Sequence, residues 1–205
     1  MPEVCDILDY WFRDVRSDPR QLPERMAFWF GGSKSSEARD REIRERFEPT
    51  LREAAAGQLE DWSLSPDGRS ALIILLDQFP RNIYRGTAEA FAYDSRARQL
   101  CVEGLAAGAD KALPPLQRVF FYLPLEHSES LADQEQCVEL MRGLQAHAPE
   151  GLADAFASFT DYAIDHRKII ERFGRFPHRN RILQRENTSE EAAFLAKHPG
   201  GFGQG

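Results

Sequence analysis

The sequence predicts an all-α domain of roughly eight to ten helices around one buried central helix. Along most of the chain, apolar residues recur at three- and four-residue spacing, as they do on one face of a helix. Residues that start or end helices separate these stretches: serine, threonine or proline before them, glycine or proline after them. Residues 71–76 are apolar on every side and have no neighbouring strand pattern, so we interpret them as the central helix.

Four helices are expected in the N-terminal part of the chain. The first follows an apolar stripe from Val4 to Val15, and the second ends at the Gly-Gly pair at 31–32. The third is charged on most faces, and Pro49 should kink or restart it. Ser65 and Pro66 give an N-cap and a first-turn proline for the fourth. The first three are expected over residues 3–16, 23–30 and 36–56, and the fourth contains residues 71–76.

The C-terminal part carries start and stop signals for five more helices. The longest of these has a continuous apolar stripe from Leu152 to Phe173. The other signals are Asp94 or Ser95 with Gly108, Pro114-Pro115 with the stop at Pro124, Ser130 with Asp133, and the capping box of Thr188 with Glu191. We expect one helical domain over residues 1–198 and a Gly-rich, disordered tail over residues 199–205.

Composition limits the possible functions. A length of 205 residues suits one core, and a net charge of −7 argues against general binding of nucleic acid phosphates. The longest apolar run is too short to span a bilayer and no signal peptide is recognisable, which favours a cytoplasmic protein without a membrane partner. Cys5, Cys101 and Cys137 are widely separated, and we expect all three to be small core residues.

One short phrase occurs twice and suggests a functional site. Phe-Pro-Arg-Asn at residues 79–82 recurs as Phe-Pro-His-Arg-Asn at 176–180, and each copy follows an apolar helical stretch. A third polar segment, Leu-Glu-His-Ser-Glu at 125–129, follows a helix that contains proline. Because proline disfavours helix continuation, we expect three helix ends whose side chains converge on one pocket.

The residues of these segments are suited to binding a charged group. Arginine contacts carboxylates and phosphates at two points, and histidine can move a proton near neutral pH. The predicted ligand-binding residues are Arg81, Asn82, Glu126, Ser128, Arg175, Arg179 and Asn180, and the candidate catalytic residues are His127 and His178. Asp77 lies one helical turn before Arg81 and should pair with it. A purely structural network, in which Glu126 and Glu129 neutralise the arginines, is the alternative.

Other chemistries have weaker support. The sequence contains no His-Glu-x-x-His, no paired Cys-x-x-Cys and no Gly-x-Ser-x-Gly, and Gly-Gly-Ser-Lys at 31–34 lacks the remainder of a phosphate loop. We therefore predict no cofactor and no metal, although a site built from His127, His178, Glu126 and His166 remains open. His166 alone is best explained as a hydrogen-bonded core residue.

Three long phrases resemble the DUF924 family of uncharacterised bacterial proteins. They are Asp-Gln-Phe-Pro-Arg-Asn at 77–82, Tyr-Leu-Pro-Leu-Glu-His-Ser-Glu at 122–129 and Arg-Phe-Pro-His-Arg-Asn at 175–180. The resemblance extends from Trp-Phe at 11–12 to Thr-Ser-Glu-Glu at 188–191. It implies a tetratricopeptide-like array of antiparallel helix pairs, and it brings no known reaction, cofactor or residue role.

Two functions are compatible with the sequence. The first is binding, with or without turnover, of a small anionic molecule in the pocket of the three helix ends. The second is a peptide- or protein-binding module with a concave groove lined by exposed aromatic residues, in which the polar segments are only scaffold. The sequence leaves the oligomeric state open.

Overall fold

The computed structural model describes residues 2–16, 18–31 and 36–198, and over this part of the chain it is all-α, as predicted. Its helices are α1 Val4–Phe12, α2 Leu22–Phe30, α3 Ser36–Ala55, α4 Pro66–Ile73, α5 Phe79–Ile83, α6 Asp94–Ala106, α7 Pro115–Glu126, α8 Leu131–Ala146, α9 Ala153–Phe173 and α10 Ser189–Lys197. The array of antiparallel pairs fits this order but stays a prediction. The tail at 199–205 lies outside the described residues.

Residues 70–83 of the central helix are all buried, as expected, but the helix does not stop at Pro80. A π-helical turn, Ile74–Gln78, joins α4 to α5, so the chain remains helical from Pro66 to Ile83. The Phe79 N–H bonds to the carbonyl of Ile74, five residues back. Pro80 has no N–H to bond within the helix, and this wider turn lets the helix pass the proline ring. Asp77 and Arg81 therefore lie inside the buried element and not at its end.

Two further prolines also lie inside helices. The expected stop at Pro124 is wrong, because α7 continues to Glu126 and ends with His127 as its C-cap. Pro49 does not restart α3, which is assigned as one helix over Ser36–Ala55. Around Pro124, where residues 119–126 are all buried, tertiary packing outweighs the hydrogen bond that the proline removes, whereas Pro49 lies on the exposed face of α3.

Local capping signals are mostly confirmed. Ser65 accepts a hydrogen bond from the N–H of Gly68 at 3.0 Å, and Thr188 and Glu191 form the predicted capping box of α10. Asp94 is not a cap, because Tyr93 is the N-cap of α6 and Asp94 is its first helical residue. The Asp94 carboxylate can therefore contact other elements.

One large apolar core fills the space around the central helix. Trp11, Phe79 and Phe120 lie within it. The ring centroid of Trp11 is 5.6 Å from that of Phe79 and 5.7 Å from that of Phe120. A small second cluster of Ile169, Ile170 and Phe176 forms where α9 ends. Cys101 and Cys137 are buried as predicted, whereas Cys5 is exposed, since it lies on the outer face of α1.

Within the described part of the chain, no helix is both long and apolar enough to cross a lipid bilayer.

Candidate functional site

The two copies of the repeated phrase meet at one carboxylate. Arg81 of α5 donates two hydrogen bonds to Asp94 at 2.8 and 2.9 Å, in the two-point geometry typical of guanidinium and carboxylate. Arg179 reaches the same Asp94 from a 3₁₀ turn, Pro177–Arg179, at 3.5 Å. Asp94 begins α6, where the helix dipole favours a negative charge. Two arginines from distant parts of the chain thus share one counter-ion.

Arg81 is firmly bound on its other side as well. Its guanidinium donates to the backbone carbonyl of Asp77 at 2.6 Å and lies 3.4 Å from the Asp77 carboxylate, which confirms the predicted pair. Burial opposes the charged form of Arg81, but Asp77 and Asp94 outweigh it and raise the pKa of Arg81. Arg81 is therefore a fixed cation with a full set of partners.

Arg179 is buried with much weaker pairing. Its guanidinium lies over the rings of Phe91 at 4.7 Å and Phe176 at 4.4 Å, and the residue is 7% exposed. Its Nε has no hydrogen-bond partner, and the 3.5 Å contact with Asp94 is its one hydrogen bond within the described residues. Burial and the neighbouring Arg81 lower the pKa of Arg179 to about 10, so it stays charged at neutral pH.

His127 forms a pair with Asp77 that fixes its tautomer. Its Nδ1 lies 2.7 Å from Asp77 Oδ1. Burial alone would raise the pKa of Asp77, but Arg81 and His127 outweigh it and hold that pKa well below its usual range. Because the carboxylate only accepts, Nδ1 carries the hydrogen and Nε2 keeps a lone pair. Nε2 has no hydrogen-bond partner among the described residues, and the side chain is 14% exposed.

Three more titratable side chains surround His127. Glu126 precedes it, and the carboxyl Oε1 lies 3.6 Å from Nδ1 of His166. Burial, with Asp77 nearby, raises the pKa of Glu126 to about 8. Burial also lowers the pKa of His127. It lowers the pKa of His166 to about 3 and the pKa of His178 to about 4. At neutral pH all three imidazoles are uncharged, and most Glu126 carboxyls are protonated.

Four of the residues predicted to bind ligand contact other groups. Each has local partners that account for its polar atoms without a ligand. Asn82 donates to the carbonyl of Gln78, Ser128 donates to Asp133, Arg175 pairs with Glu191, and Asn180 contacts Asn187 and Arg185. Glu129, expected as a possible partner of the site arginines, instead binds Arg185 at 2.7 Å. The cluster therefore contains Arg81, Glu126, Arg179 and both candidate histidines.

Asp94 and Phe91 are site residues that sequence reasoning missed. Asp94 was assigned to a cap, and its 85-residue separation from Arg179 leaves no local signal of their contact. Phe91 lies beneath both guanidinium groups, 5.6 Å from that of Arg81. A sequence signal exists only in retrospect: an aromatic residue three positions before a helix-starting aspartate. His166 is buried and donates from Nδ1 to the carbonyl of Tyr162 at 2.8 Å, as expected of a core histidine.

A surface cavity of about 520 Å³ lies elsewhere, between α7 and α8. Its lining residues are Pro115, Arg118, Gln136, Glu139, Leu140, Gly143, Leu144 and His147, none of which belongs to the cluster. In the part of the chain that the structure describes, no group of three or more His, Cys, Asp or Glu side chains is arranged to hold a metal ion.

Fold and site together define an all-α protein with a buried ionic cluster of arginine, aspartate and histidine side chains from three separate segments. The sequence matches the family model described as bacterial protein of unknown function, DUF924, over residues 7–199. The chain therefore belongs to the DUF924 family.

A solved structure is similar to the whole fold. It is that of the protein of unknown function ATU0120 from Agrobacterium tumefaciens, with 38% sequence identity and a TM-score of 0.77. The alignment covers 95% of this chain and 97% of that chain. No curated protein matches the sequence.

Proposed function

We propose that the cluster binds a small anion, a carboxylate or a phosphate, at Arg179, and that His127 accepts a proton from the bound molecule. The observation that carries this proposal is the incomplete pairing of Arg179. A buried guanidinium is costly unless its donors are satisfied, and Arg179 has one long hydrogen bond and an unpaired Nε. An anion supplies the missing acceptors in the two-point geometry that arginine favours.

Arg81 has a supporting role in this proposal. It holds Asp94 in place through two short hydrogen bonds, so Asp94 has little capacity left for Arg179. A bound anion replaces the 3.5 Å contact of Arg179 with Asp94 and leaves the Arg81 pair intact. The positive charge of Arg81 then adds to the attraction for the anion.

Ligand access is expected on the side of His127 and Asp94. Their side chains retain 14% and 21% exposure, more than those of Arg81 and Arg179. Nε2 of His127 is the unpaired, proton-accepting atom on this side.

The peptide-binding alternative has less support. It predicts a long groove lined by exposed aromatic residues. The 520 Å³ cavity between α7 and α8 has no Phe, Trp or Tyr in its lining. Of the exposed large apolar residues in the described chain, only Phe30 and Tyr162 are aromatic.

Thermal denaturation with inorganic phosphate and with malonate tests anion binding. We expect either anion to raise the melting temperature of the wild type, by roughly 2–4 °C per kcal/mol of binding energy gained. Arg179→Gln and the charge-keeping Arg179→Lys should abolish most of this rise, because both lose the planar fork. Arg172→Gln is the matched control: Arg172 is an exposed arginine paired with Glu190, and the rise should persist in this variant.

Absence of any anion-dependent rise in the wild type overturns the proposal. An equal rise in wild type and both Arg179 variants also overturns it, since the anion would then bind elsewhere.

A further inference from the structure

Glu126 is a buried carboxyl that is not hydrogen-bonded within the described part of the chain. The residue is 5% exposed, and its carboxyl oxygens accept no hydrogen bond from any described residue. Its Oε1 lies 3.6 Å from Nδ1 of His166, and the hydrogen of that nitrogen is directed to the Tyr162 carbonyl. Glu126 thus differs from other carboxylates of the cluster, which are paired with arginine or histidine.

The surroundings of Glu126 and His127 shift the pKa values of these two groups in opposite directions. The π-turn contributes the anion Asp77, which discourages a second negative charge at Glu126. Burial and the cation Arg81 discourage a positive charge at His127 and lower its pKa, while Asp77 and Asp94 partly offset them. His166 and His178 are uncharged neighbours. A protonated acid and an unprotonated base therefore stand side by side.

The two side chains approach the same imidazole from different directions. Glu126 lies 3.6 Å from His166, and the His127 ring centroid lies 6.4 Å from that of His166. Glu126 and His127 are consecutive residues at the end of α7, so their side chains leave the helix about 100° apart. Neighbouring groups whose environments force their pKa values in opposite senses are the usual arrangement of a general acid and a general base.

We propose that Glu126 is the general acid and His127 the general base of a redox-neutral reaction, an isomerisation or an elimination, on a small carboxylate or phosphate ester. This inference rests on anion binding at Arg179. Nε2 of His127 takes the proton of a substrate C–H group, and the electron pair of the broken C–H bond forms a C=C double bond. In the isomerisation the π bond of the adjacent carbonyl opens and its oxygen takes the proton of the Glu126 carboxyl to give an enol, whose return to a carbonyl at the neighbouring carbon completes the reaction. In the elimination the C–O bond of the adjacent carbon breaks and the leaving oxygen takes that proton. One proton leaves the substrate and one is added, so no oxidant or reductant is needed. Asp77 is a positioning residue, since it acts through His127.

NMR titration of side chains in the intact protein tests this assignment. With ¹³C-labelled glutamate, we expect a carboxyl signal that titrates near pH 8 and is missing in Glu126→Gln. The matched control is Glu129, which is paired with Arg185, and its signal, missing in Glu129→Gln, should titrate below the usual glutamate range. With ¹⁵N-labelled histidine at pH 7, His127 should carry its hydrogen on Nδ1, and Asp77→Asn should reduce this preference.

Inorganic phosphate separates this inference from the proposed function. A phosphate bound at Arg179 adds negative charge beside both groups, so it should raise the pKa of Glu126 and of His127 in wild type but not in Arg179→Gln. If phosphate stabilises the protein through Arg179 but moves neither pKa, the acid–base pair is refuted and anion binding stands. A Glu126 that titrates near pH 4.5, or a His127 protonated at pH 7, also refutes it. If phosphate does not bind at all, the proposed function itself fails.

Discussion

Asp94 is the carboxylate that both arginines of the cluster share. It accepts two hydrogen bonds from Arg81 and the one long hydrogen bond of Arg179. Without this carboxylate, Arg179 would keep no hydrogen-bonded carboxylate among the described residues, and the Asp77 carboxylate beside Arg81 is already paired with His127. Stability and ligand affinity are therefore opposed at this position: Asp94 neutralises Arg179 in the unliganded protein and competes with an incoming anion.

Asp94→Asn should consequently destabilise the protein and strengthen anion binding. We expect the free energy of unfolding to fall by about 2–4 kcal/mol, since the substitution leaves buried charges without their partner. The affinity for phosphate should rise several-fold, because Arg179 loses its internal competitor. Urea denaturation and isothermal titration with phosphate measure the two effects. Asp165→Asn, at an exposed residue paired with Lys168, should change neither by more than about 0.5 kcal/mol.

Two outcomes would contradict this account of Asp94. Unchanged stability of Asp94→Asn would mean that its contacts with the arginines contribute nothing. Weaker phosphate binding would mean that Asp94 helps to form the anion site and does not compete with it.

At the scale of elements, the helix pattern was predictable from sequence but the helix ends were not. Signals that act within one turn, such as Ser65 with Gly68 and Thr188 with Glu191, appear in the structure as expected. Pro80 and Pro124 were misinterpreted as stops, because a proline inside a helix is tolerated when the surrounding packing, or a π turn, compensates for it. The sequence alone does not show that packing.

The close approach of α6 to its neighbours depends on Gly104. A Cβ at this position would lie 2.5 Å from Phe121 of α7 and 2.5 Å from the Arg69 side chain of α4. Phe121 is fully buried and cannot move aside. Gly104 therefore holds α6, and with it Asp94, at its present distance from the central helix.

Gly104→Ala should destabilise the protein although alanine is the better helix former. Overpacking costs about 1–3 kcal/mol and outweighs the helix propensity gain of about 1 kcal/mol. Gly143→Ala is the matched control in α8, where a Cβ would meet nothing within 4 Å, and it should stabilise by about 0.5–1 kcal/mol. Chemical denaturation of both variants checks the opposite signs. Equal effects would show that the α6 contact does not limit packing.

On the scale of the whole molecule, the site arises from long-range contacts. The repeated phrase contains the two arginines that meet at Asp94, because a guanidinium after an apolar helix needs a partner nearby. That partner could not be identified in advance: Asp94 lies 13 residues from Arg81 and 85 from Arg179, and only the folded chain brings the three together. The same holds for Asp77 and His127, which are 50 residues apart.

The cluster should also determine how stability depends on pH. Glu126 has a folded-state pKa of about 8, above its ordinary value of 4.5, so folding takes up a proton between these values and stability falls as pH rises. His166 and His178 have folded-state pKa values of about 3 and 4, below 6.5, so stability falls as pH drops below 6.5. The lowered pKa of His127 acts in the same direction as those of the other two histidines. Between pH 4.5 and 6.5 His166 and His178 oppose Glu126, with His127 acting on the same side as the other histidines, and from pH 6.5 to 8 Glu126 has the dominant effect.

We therefore expect the free energy of unfolding to be greatest near pH 6.5 and to fall on both sides. From pH 6.5 to 8 the free energy of unfolding should fall by about 1–2 kcal/mol, because over this range unfolding releases the proton of one buried carboxyl. Glu126→Gln keeps the shape of the neutral carboxyl but has no proton to lose, so its stability should stay level above pH 6.5 and still fall below it. Urea denaturation from pH 5 to 8.5 measures both curves, with Glu129→Gln as the control that keeps the alkaline decline. An alkaline decline of equal size in Glu126→Gln would show that another group causes it, and that Glu126 is already ionised at neutral pH.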